Sequence, residues 1–335
     1  MNHFTRTTAM LAACVALAAG CGATVEQATP ATGAAVTVTN CAAPLTVPHR
    51  PRRVVSNDTG ITELLFALGL SDSMVGYTTY DGKGADYRTS PWKADFDDTR
   101  DLGTAFTREV IQAANPDFVF AGWNYGFRES TGVTPDWIRE IGAIPYQLTE
   151  ACRQAGGTQR GIMAPLEALY QDIANLGIIF GVQRRADALI NDYRRRIHRS
   201  QAGAPVDDKR ARVFVFDSAT PDPFTAGGTA TPQALIEAAG GTNVFAGLHD
   251  SWVSTSWEAA AHADPQVIVI VDYGVGPENT VEAKINLLRA HPLMANTTAI
   301  RDNNVLALPY AAMVEGPRAP DSVEMLAAFL RSKGY

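Results

Sequence analysis

The chain has 335 residues, 46% of them hydrophobic and 19% charged, with a formal net charge of −7. This length suits one large or two medium globular domains, and the ordinary Gly and Pro content excludes collagen-like and broadly disordered chains. The acidic balance argues against a general affinity for nucleic acid or anionic lipid, and no apolar run reaches the roughly 20 residues that cross a bilayer as a helix.

The first element is an export signal. Met1–Arg6 is short and basic, the stretch Thr7–Ala19 is apolar and small, and Leu17-Ala18-Ala19-Gly20-Cys21 ends in a cleavage-type sequence. The last five residues resemble the bacterial lipobox, in which the Cys is acylated and becomes the new N-terminus. Leu11-Ala12-Ala13-Cys14 fits that four-residue pattern more closely but leaves about seven apolar residues before cleavage, the bottom of the range for such a segment, so the expected cleavage places residues 1–21 in the signal and lipid on Cys21. Residues 22–45, Ala/Thr-rich at their start, are expected to be a flexible tether. Cys41 and Cys152 are the cysteines left in a chain bound for an oxidising compartment, and they are expected to pair as a disulfide.

The remainder reads as two related halves, 46–181 and 204–335, joined by a helix over 182–203. Arg53-Val54-Val55-Ser56 is a short β-rich run followed by a turn at Asn57–Gly60 and a helical pattern from Thr62 to Gly69. Arg212–Phe216, a Pro/Gly/Thr loop and Gln233–Gly240 repeat that plan with a longer loop. Glu109 precedes Pro116 and the strand Asp117–Phe120 as Glu258 precedes Pro265 and the strand Val267–Val271, with the same spacing. Strands alternating with helices imply parallel sheets, and the apolar run 267–271 fits a strand covered on both faces. Between the halves, Leu166, Leu169, Ile173 and Leu176 recur at helical spacing and stop at Gly177 and Gly181. Ala186, Leu189, Ile190, Tyr193 and Ile197 then mark a helix of about 30 Å, long enough to bridge two lobes. Its arginines, 184, 185, 194, 195, 196 and 199, read as a solvated face rather than a phosphate site.

Catalytic and metal motifs are missing. There is no GxSxG or HExxH, and the stretch from Gly76 to Gly82-Lys83-Gly84 fails the P-loop spacing. His49, His198, His249, His262 and His291 are scattered without ligand-like pairs, so no bare metal site is expected. Polar and aromatic residues instead gather where strands run out: Asn57-Asp58-Thr59, Tyr77 and Tyr80, and Trp123-Asn124-Tyr125 with Phe127 in the first half. Phe224-Thr225, Trp252, Tyr273 and Tyr310, with Glu315 and Arg318 just beyond, are their counterparts in the second. In parallel α/β sheets ligands bind outside the carboxyl ends of the strands, so these groups are candidates for one cleft between the lobes.

Several segments in this order carry a family resemblance. They are 53–56 with 62–69, Asn115-Pro116-Asp117 with Phe118–Ala121, Pro223–Gly228, Ala239-Gly240-Gly241-Thr242-Asn243-Val244-Phe245 and Trp252–Glu258. From about Pro48 to Leu330 the chain resembles the substrate-binding lipoproteins of bacterial ABC importers for ferric siderophores, cobalamin and haem, of actinobacterial type. Gln266 departs from the Asp usual after Pro. The resemblance implies two Rossmann-like lobes on one backbone helix, a ligand cleft between them, anchoring of a monomer to the outer face of the cell membrane, and partnership with a permease and its ATPase. It implies permease-docking roles for Glu109 and Glu258, and no catalysis or resident cofactor. A ferric siderophore brings its own oxygen donors to iron and is the expected ligand, stacked on Tyr80, Trp123, Phe224, Trp252, Tyr273 and Tyr310 and paired with Asp58, Thr59 and Arg318. Cobalamin and haem stay open as ligands. So do an extracytoplasmic enzyme using Asp58 or Glu315 as acid or base, and an envelope receptor that no longer serves transport.

Overall fold

The computed structural model describes residue 1 and residues 34–79, 85–155, 157–203, 209–274 and 276–335. The fold is that of the compact unit Gly33–Tyr335. The signal, Cys14, Cys21 and Tyr80 lie outside the described residues.

The expectation of a tether over 22–45 fails from Val36 onward. Strands β1 (Val36–Asn40) and β2 (Ala43–Val47) form an antiparallel hairpin. Its alternating Val38 and Val47 side chains are buried, which the Ala/Thr-rich composition upstream concealed. The hairpin is fastened to the first lobe by the Cys41–Cys152 disulfide, whose Cα atoms are 5.2 Å apart. Asn40 adds a two-way bond to the Gln147 backbone at 2.7 and 3.0 Å.

The first lobe runs β3 (Val54–Asn57), α1 (Thr59–Ala67), β4 (Met74–Thr78), α2 (Lys93–Asp98), α3 (Arg108–Ala114), β5 (Phe118–Ala121), α4 (Pro135–Glu140) and β6 (Ile144–Gln147). Its parallel sheet has the order β4-β3-β5-β6. Two antiparallel helices, α5 (Pro165–Ile179) and α6 (Gln183–Gln201), follow. α5 does not stop at Gly177: a Cβ there would lie 2.6 Å from the Ala186 Cβ, so glycine is what lets α5 and α6 approach closely.

The second lobe runs β7 (Ala211–Phe216), β8 (Ser218–Ala219), β9 (Pro223–Ala226), α7 (Thr231–Ala238), β10 (Gly241–Asn243), β11 (Trp252–Ser254), α8 (Trp257–His262), β12 (Val267–Asp272), α9 (Val281–Ala290), α10 (Thr298–Arg301), β13 (Val305–Pro309) and α11 (Ala319–Ser332). Its parallel sheet, β10-β7-β12-β13, repeats the strand order of the first when the strands of each lobe are counted in turn: second, first, third, fourth. The loop expected after β7 instead carries β8 and β9, which pair with β11 as a small antiparallel sheet.

α6 buries Ala186, Tyr193 and Ile197 on one face. Several of its arginines have structural duties. Arg185 Nε donates to the Ala67 carbonyl at the end of α1 (2.8 Å), and Arg196 pairs with Glu324 of α11 (Nε to Oε1, 2.8 Å). One apolar core runs continuously from Ile61, Phe118 and Tyr146 through Leu176 and Tyr193 to Val213, Val269 and Leu326, so the two lobes share a packed interior.

Candidate functional site

Both sheets reverse their strand order between the first and third strands, which is where an open α/β sheet leaves a crevice at its carboxyl end. Asp58 follows β3 and Asp217 follows β7 at that point, the Gly122–Tyr125 turn follows β5, and Tyr273 follows β12. A cavity of about 300 Å³ opens there. The first lobe lines it with Asn124, Tyr125, Glu150, Ala151 and Arg160, and the second with Asp217, Phe224, Ser251, Trp252, Tyr310 and Val314. The volume sits at the small end of ligand clefts.

The aromatic wall is a product of strand register. Phe224 on β9 pairs with Ser254 on β11, which places Trp252 diagonally beside it on the same face. The two rings stack at 6.0 Å between centroids and 24° between planes. Opposite them, the Tyr125 ring lies across Gly122; a Cβ there would fall 1.9 Å from the Tyr125 Cζ, so only glycine permits this pose. The Tyr310 and Tyr273 rings meet edge to face at 5.7 Å.

Buried carboxyl groups tie the two lobes together around this cavity. Asp58 caps α1 by accepting from Gly60 N (2.9 Å), and its other oxygen accepts from the Tyr310 hydroxyl (2.6 Å). Glu150 reaches from the first lobe to the second, accepting from Ser251 Oγ (2.5 Å), Thr231 Oγ1 (3.2 Å) and Thr231 N (3.3 Å). Glu315 reaches the opposite way, accepting from Glu150 N at 2.9 Å. Asp172 accepts from the Tyr146 hydroxyl (2.6 Å) and from Thr149 N (2.8 Å). Burial pushes Glu150 and Asp172 above the ordinary carboxyl range, and burial together with the neighbouring Asp172 charge pushes Glu315 well above it. Glu315 Oε1 is buried and meets no donor. Arg160, which also lines the cavity, donates from Nη2 to the Trp252 carbonyl (2.8 Å), and its Nε lies 3.8 Å from Asp250 Oδ1.

Of the residues expected at the ligand, Phe224, Trp252 and Tyr310 line the cavity. Tyr273 stands behind it, donating its hydroxyl to Asp217. Asp58 and Thr59 are buried and outside the lining, Asp58 because its oxygens serve the helix cap and Tyr310. Trp123 is also outside the lining, buried beneath the Arg153 guanidinium, which sits 4.1 Å above its ring centroid. Arg318 is withdrawn from the cleft altogether: it forms a bidentate ion pair with Glu63 of α1, whose side chain is 0% exposed. Its position in the sequence beyond a strand end gave no hint of that partner, which is 255 residues away.

Glu150, Arg160, Asp217 and Ser251 were missed. Asp217 carried a usable signal, since it follows β7 as Asp58 follows β3. Glu150 comes from a single 3-10 turn, Thr149–Ala151, and Arg160 and Ser251 from loops, none of which has a periodic pattern. Glu109 and Glu258 are exposed, each the second residue of a short helix, after the caps Thr107 and Ser256. Backbone and Thr107 hydrogen bonds at the start of α3 hold Glu109 below the usual carboxyl range. Among the described residues no group of three or more His, Cys, Asp and Glu side chains is arranged to hold a metal ion.

The chain matches the model of the periplasmic binding protein family over residues 54–312. A cobalamin-binding protein of Halobacterium salinarum is 25% identical over 269 residues, 79% of this chain and 65% of that protein, so the chain spans less than two thirds of that relative's length. An uncharacterized ABC transporter substrate-binding lipoprotein of Bacillus subtilis is 24% identical over 288 residues, covering 84% of this chain and 81% of the relative. The crystal structure of a periplasmic binding protein from Veillonella parvula superposes with a TM-score of 0.73 at 25% identity, over 89% of this chain and 98% of that one.

Proposed function

Because the chain belongs to the periplasmic binding protein family, we propose that it is the extracytoplasmic substrate-binding lipoprotein of an ABC importer and that its cargo is a ferric siderophore. The observation that carries this reading is the cavity between the lobes, walled by Phe224, Trp252, Tyr125 and Tyr310. Rings of this kind stack on the organic body of a chelate that already surrounds its iron with oxygen donors. In this reading Cys21 carries the lipid anchor. The protein captures and delivers, and no bond in the ligand is made or broken. A second reading, cobalamin as cargo, is favoured by the relative from Halobacterium.

Trp252 lies in the wall, so a bound chromophoric chelate should quench its fluorescence. Titration with ferric hydroxamates, ferric catecholates, cobalamin and haem tests the assignment: saturable quenching by a ferric siderophore is expected, and saturation by cobalamin or haem alone would replace it. Trp252→Ala should weaken binding by about tenfold or more, the usual worth of a buried aromatic contact, measured by equilibrium dialysis; an unchanged affinity would remove the cavity from the binding site.

Docking to a permease is proposed to use Glu109 and Glu258. Their equivalent places at the starts of α3 and α8 put one exposed carboxylate on each lobe. Replacing both by Ala should leave ligand affinity unchanged and lower uptake by cells about tenfold or more, since charge pairs at an interface are worth that much when desolvated. Normal uptake by the double variant would refute the docking role.

A further inference from the structure

Resting on the reading of this cavity as the ligand site, we propose that Arg160 and Asp250 form a clasp across its rim, which parts to admit a ligand, closes behind it and so governs how fast the site fills and empties. Arg160 belongs to the first lobe, and its contacts reach three points of the second. Its backbone N donates to Asp250 Oδ1 (2.9 Å), its guanidinium Nη2 donates to the Trp252 carbonyl (2.8 Å), and its carbonyl accepts from Thr229 Oγ1 (2.8 Å). Gln154 Nε2 adds a bond to the His249 carbonyl at 3.3 Å. Behind the clasp the chain is fixed to its own lobe: Arg160 pairs with Arg153 in an isolated β-bridge, and the Arg153 guanidinium lies 4.1 Å above the Trp123 ring centroid. Gly161 sets the closeness of the approach. Its φ is +93°, and a Cβ there would fall 2.3 Å from the Thr229 Cβ.

Two observations set this clasp apart from the fixed joint beneath it. The deeper ties between the lobes, Glu150 to Ser251 and Thr231 and Glu315 to Glu150 N, are buried at both ends. Breaking them strands polar groups away from water. At the rim, by contrast, the Arg160 and Asp250 side chains keep 11% and 24% exposure, with Nε 3.8 Å from Oδ1. Water reaches both partners as they part, so separation costs little. The second observation is what the clasp holds. It grips Asp250 and the Trp252 carbonyl, the two ends of a segment whose Ser251 and Trp252 line the cavity. With about 300 Å³ inside, at the low end for ligand clefts, there is no slack for a ligand to pass Arg160 and reach the Trp252 ring while the clasp is shut. A clasp that closes with or without a ligand beneath it cancels from the affinity. It remains in the barrier that entry and exit both cross.

The test uses two variants outside the cavity lining. Asp250→Ala removes the acceptor of the clasp and also frees Ser251 N, which donates to the same oxygen at 2.7 Å. Gly161→Ala leaves Asp250 untouched and pushes the chain off Thr229, so agreement between the two isolates the clasp. In the free protein, amide hydrogen exchange at Arg160 should rise about tenfold or more in both, the worth of a hydrogen bond to a charged group, while the amides of Glu150 and Thr231 exchange as in the wild type. No rise at Arg160 overturns the proposal, and so does an equal rise at all three, since the lobes would then part as one joint. Stopped-flow tryptophan quenching by a ferric trihydroxamate should show association and dissociation both about tenfold faster, with the dissociation constant within about threefold of wild type. Faster dissociation alone, or unchanged rates, overturns the gating role. If only aquocobalamin or haem quenches the wild type, the same rates are read with that probe and the siderophore reading falls by itself. If none of the three quenches, the ligand reading falls, and amide exchange alone decides the clasp.

Discussion

Arg318→Ala should destabilise the protein by about 3–5 kcal/mol, read as a fall in the denaturant midpoint, because it strips the guanidinium from a carboxylate buried in the protein. The Glu63 side chain is 0% exposed and that of Arg318 is 7% exposed. Arg318 Nε donates to Glu63 Oε2 at 2.8 Å, a second bond runs from Nη2 to Oε1, and the Ser90 hydroxyl donates to the same oxygen at 2.5 Å. The pair joins the start of α11 to α1, so it links the last helix of the chain to the first lobe. Removing one member leaves a charge that water cannot reach; removing both with shape-matched apolar groups does not. Glu63→Leu combined with Arg318→Met should therefore recover most of the loss. Ligand affinity of the folded fraction should stay near wild type, because Arg318 is absent from the cavity lining. A large loss of affinity with an unchanged midpoint would return Arg318 to the cleft.

Replacing Cys41 and Cys152 together by Ser should lower stability by about 2–4 kcal/mol, the usual worth of a native bridge. The bond spans 111 residues of sequence and encloses most of the first lobe, so its loss frees a long loop in the unfolded chain. The hairpin keeps other attachments: Asn40 to Gln147 at 2.7 and 3.0 Å, and Asn175 Nδ2 to the Thr39 carbonyl at 2.7 Å. The double variant should therefore still fold, with the hairpin in place. Equilibrium unfolding in guanidinium with and without reductant checks this; coincident midpoints would mean that the crosslink contributes nothing.

Much of the scaffold was readable from local sequence because the relevant forces are local. Val267–Val271 is an unbroken apolar run because β12 is covered on both faces, and every one of those residues is buried. The spacing of Ala186, Tyr193 and Ile197 marks the buried stripe of α6 because one helix face meets the core. Phe224, Trp252 and Tyr310 were visible as large rings at strand ends. The site's polar half was not. Glu150 and Ser251 become partners only when two loops 101 residues apart meet across the cleft. Arg318 has the chemistry of a ligand-binding cation, and only its tertiary partner tells it apart from one. The β1–β2 hairpin was lost for a related reason: its strands are short, and Val38 and Val47 declare themselves as core only after the disulfide and Asn40 have brought the hairpin against the lobe.

The disulfide ends at Cys152, two residues beyond Glu150 and next to Ala151, both of which line the cavity. The edge of the cleft is thus fastened by a bond that a reducing compartment does not allow to persist. In a reducing compartment the hairpin and this edge are held by hydrogen bonds and by the buried Val38 and Val47 side chains, and the covalent fastening arrives only with oxidation. In the proposed function, maturation is thereby timed to location: the chain takes its final form where it would meet its ligand, and a preparation made in a reducing compartment lacks this bond at the rim of the cavity.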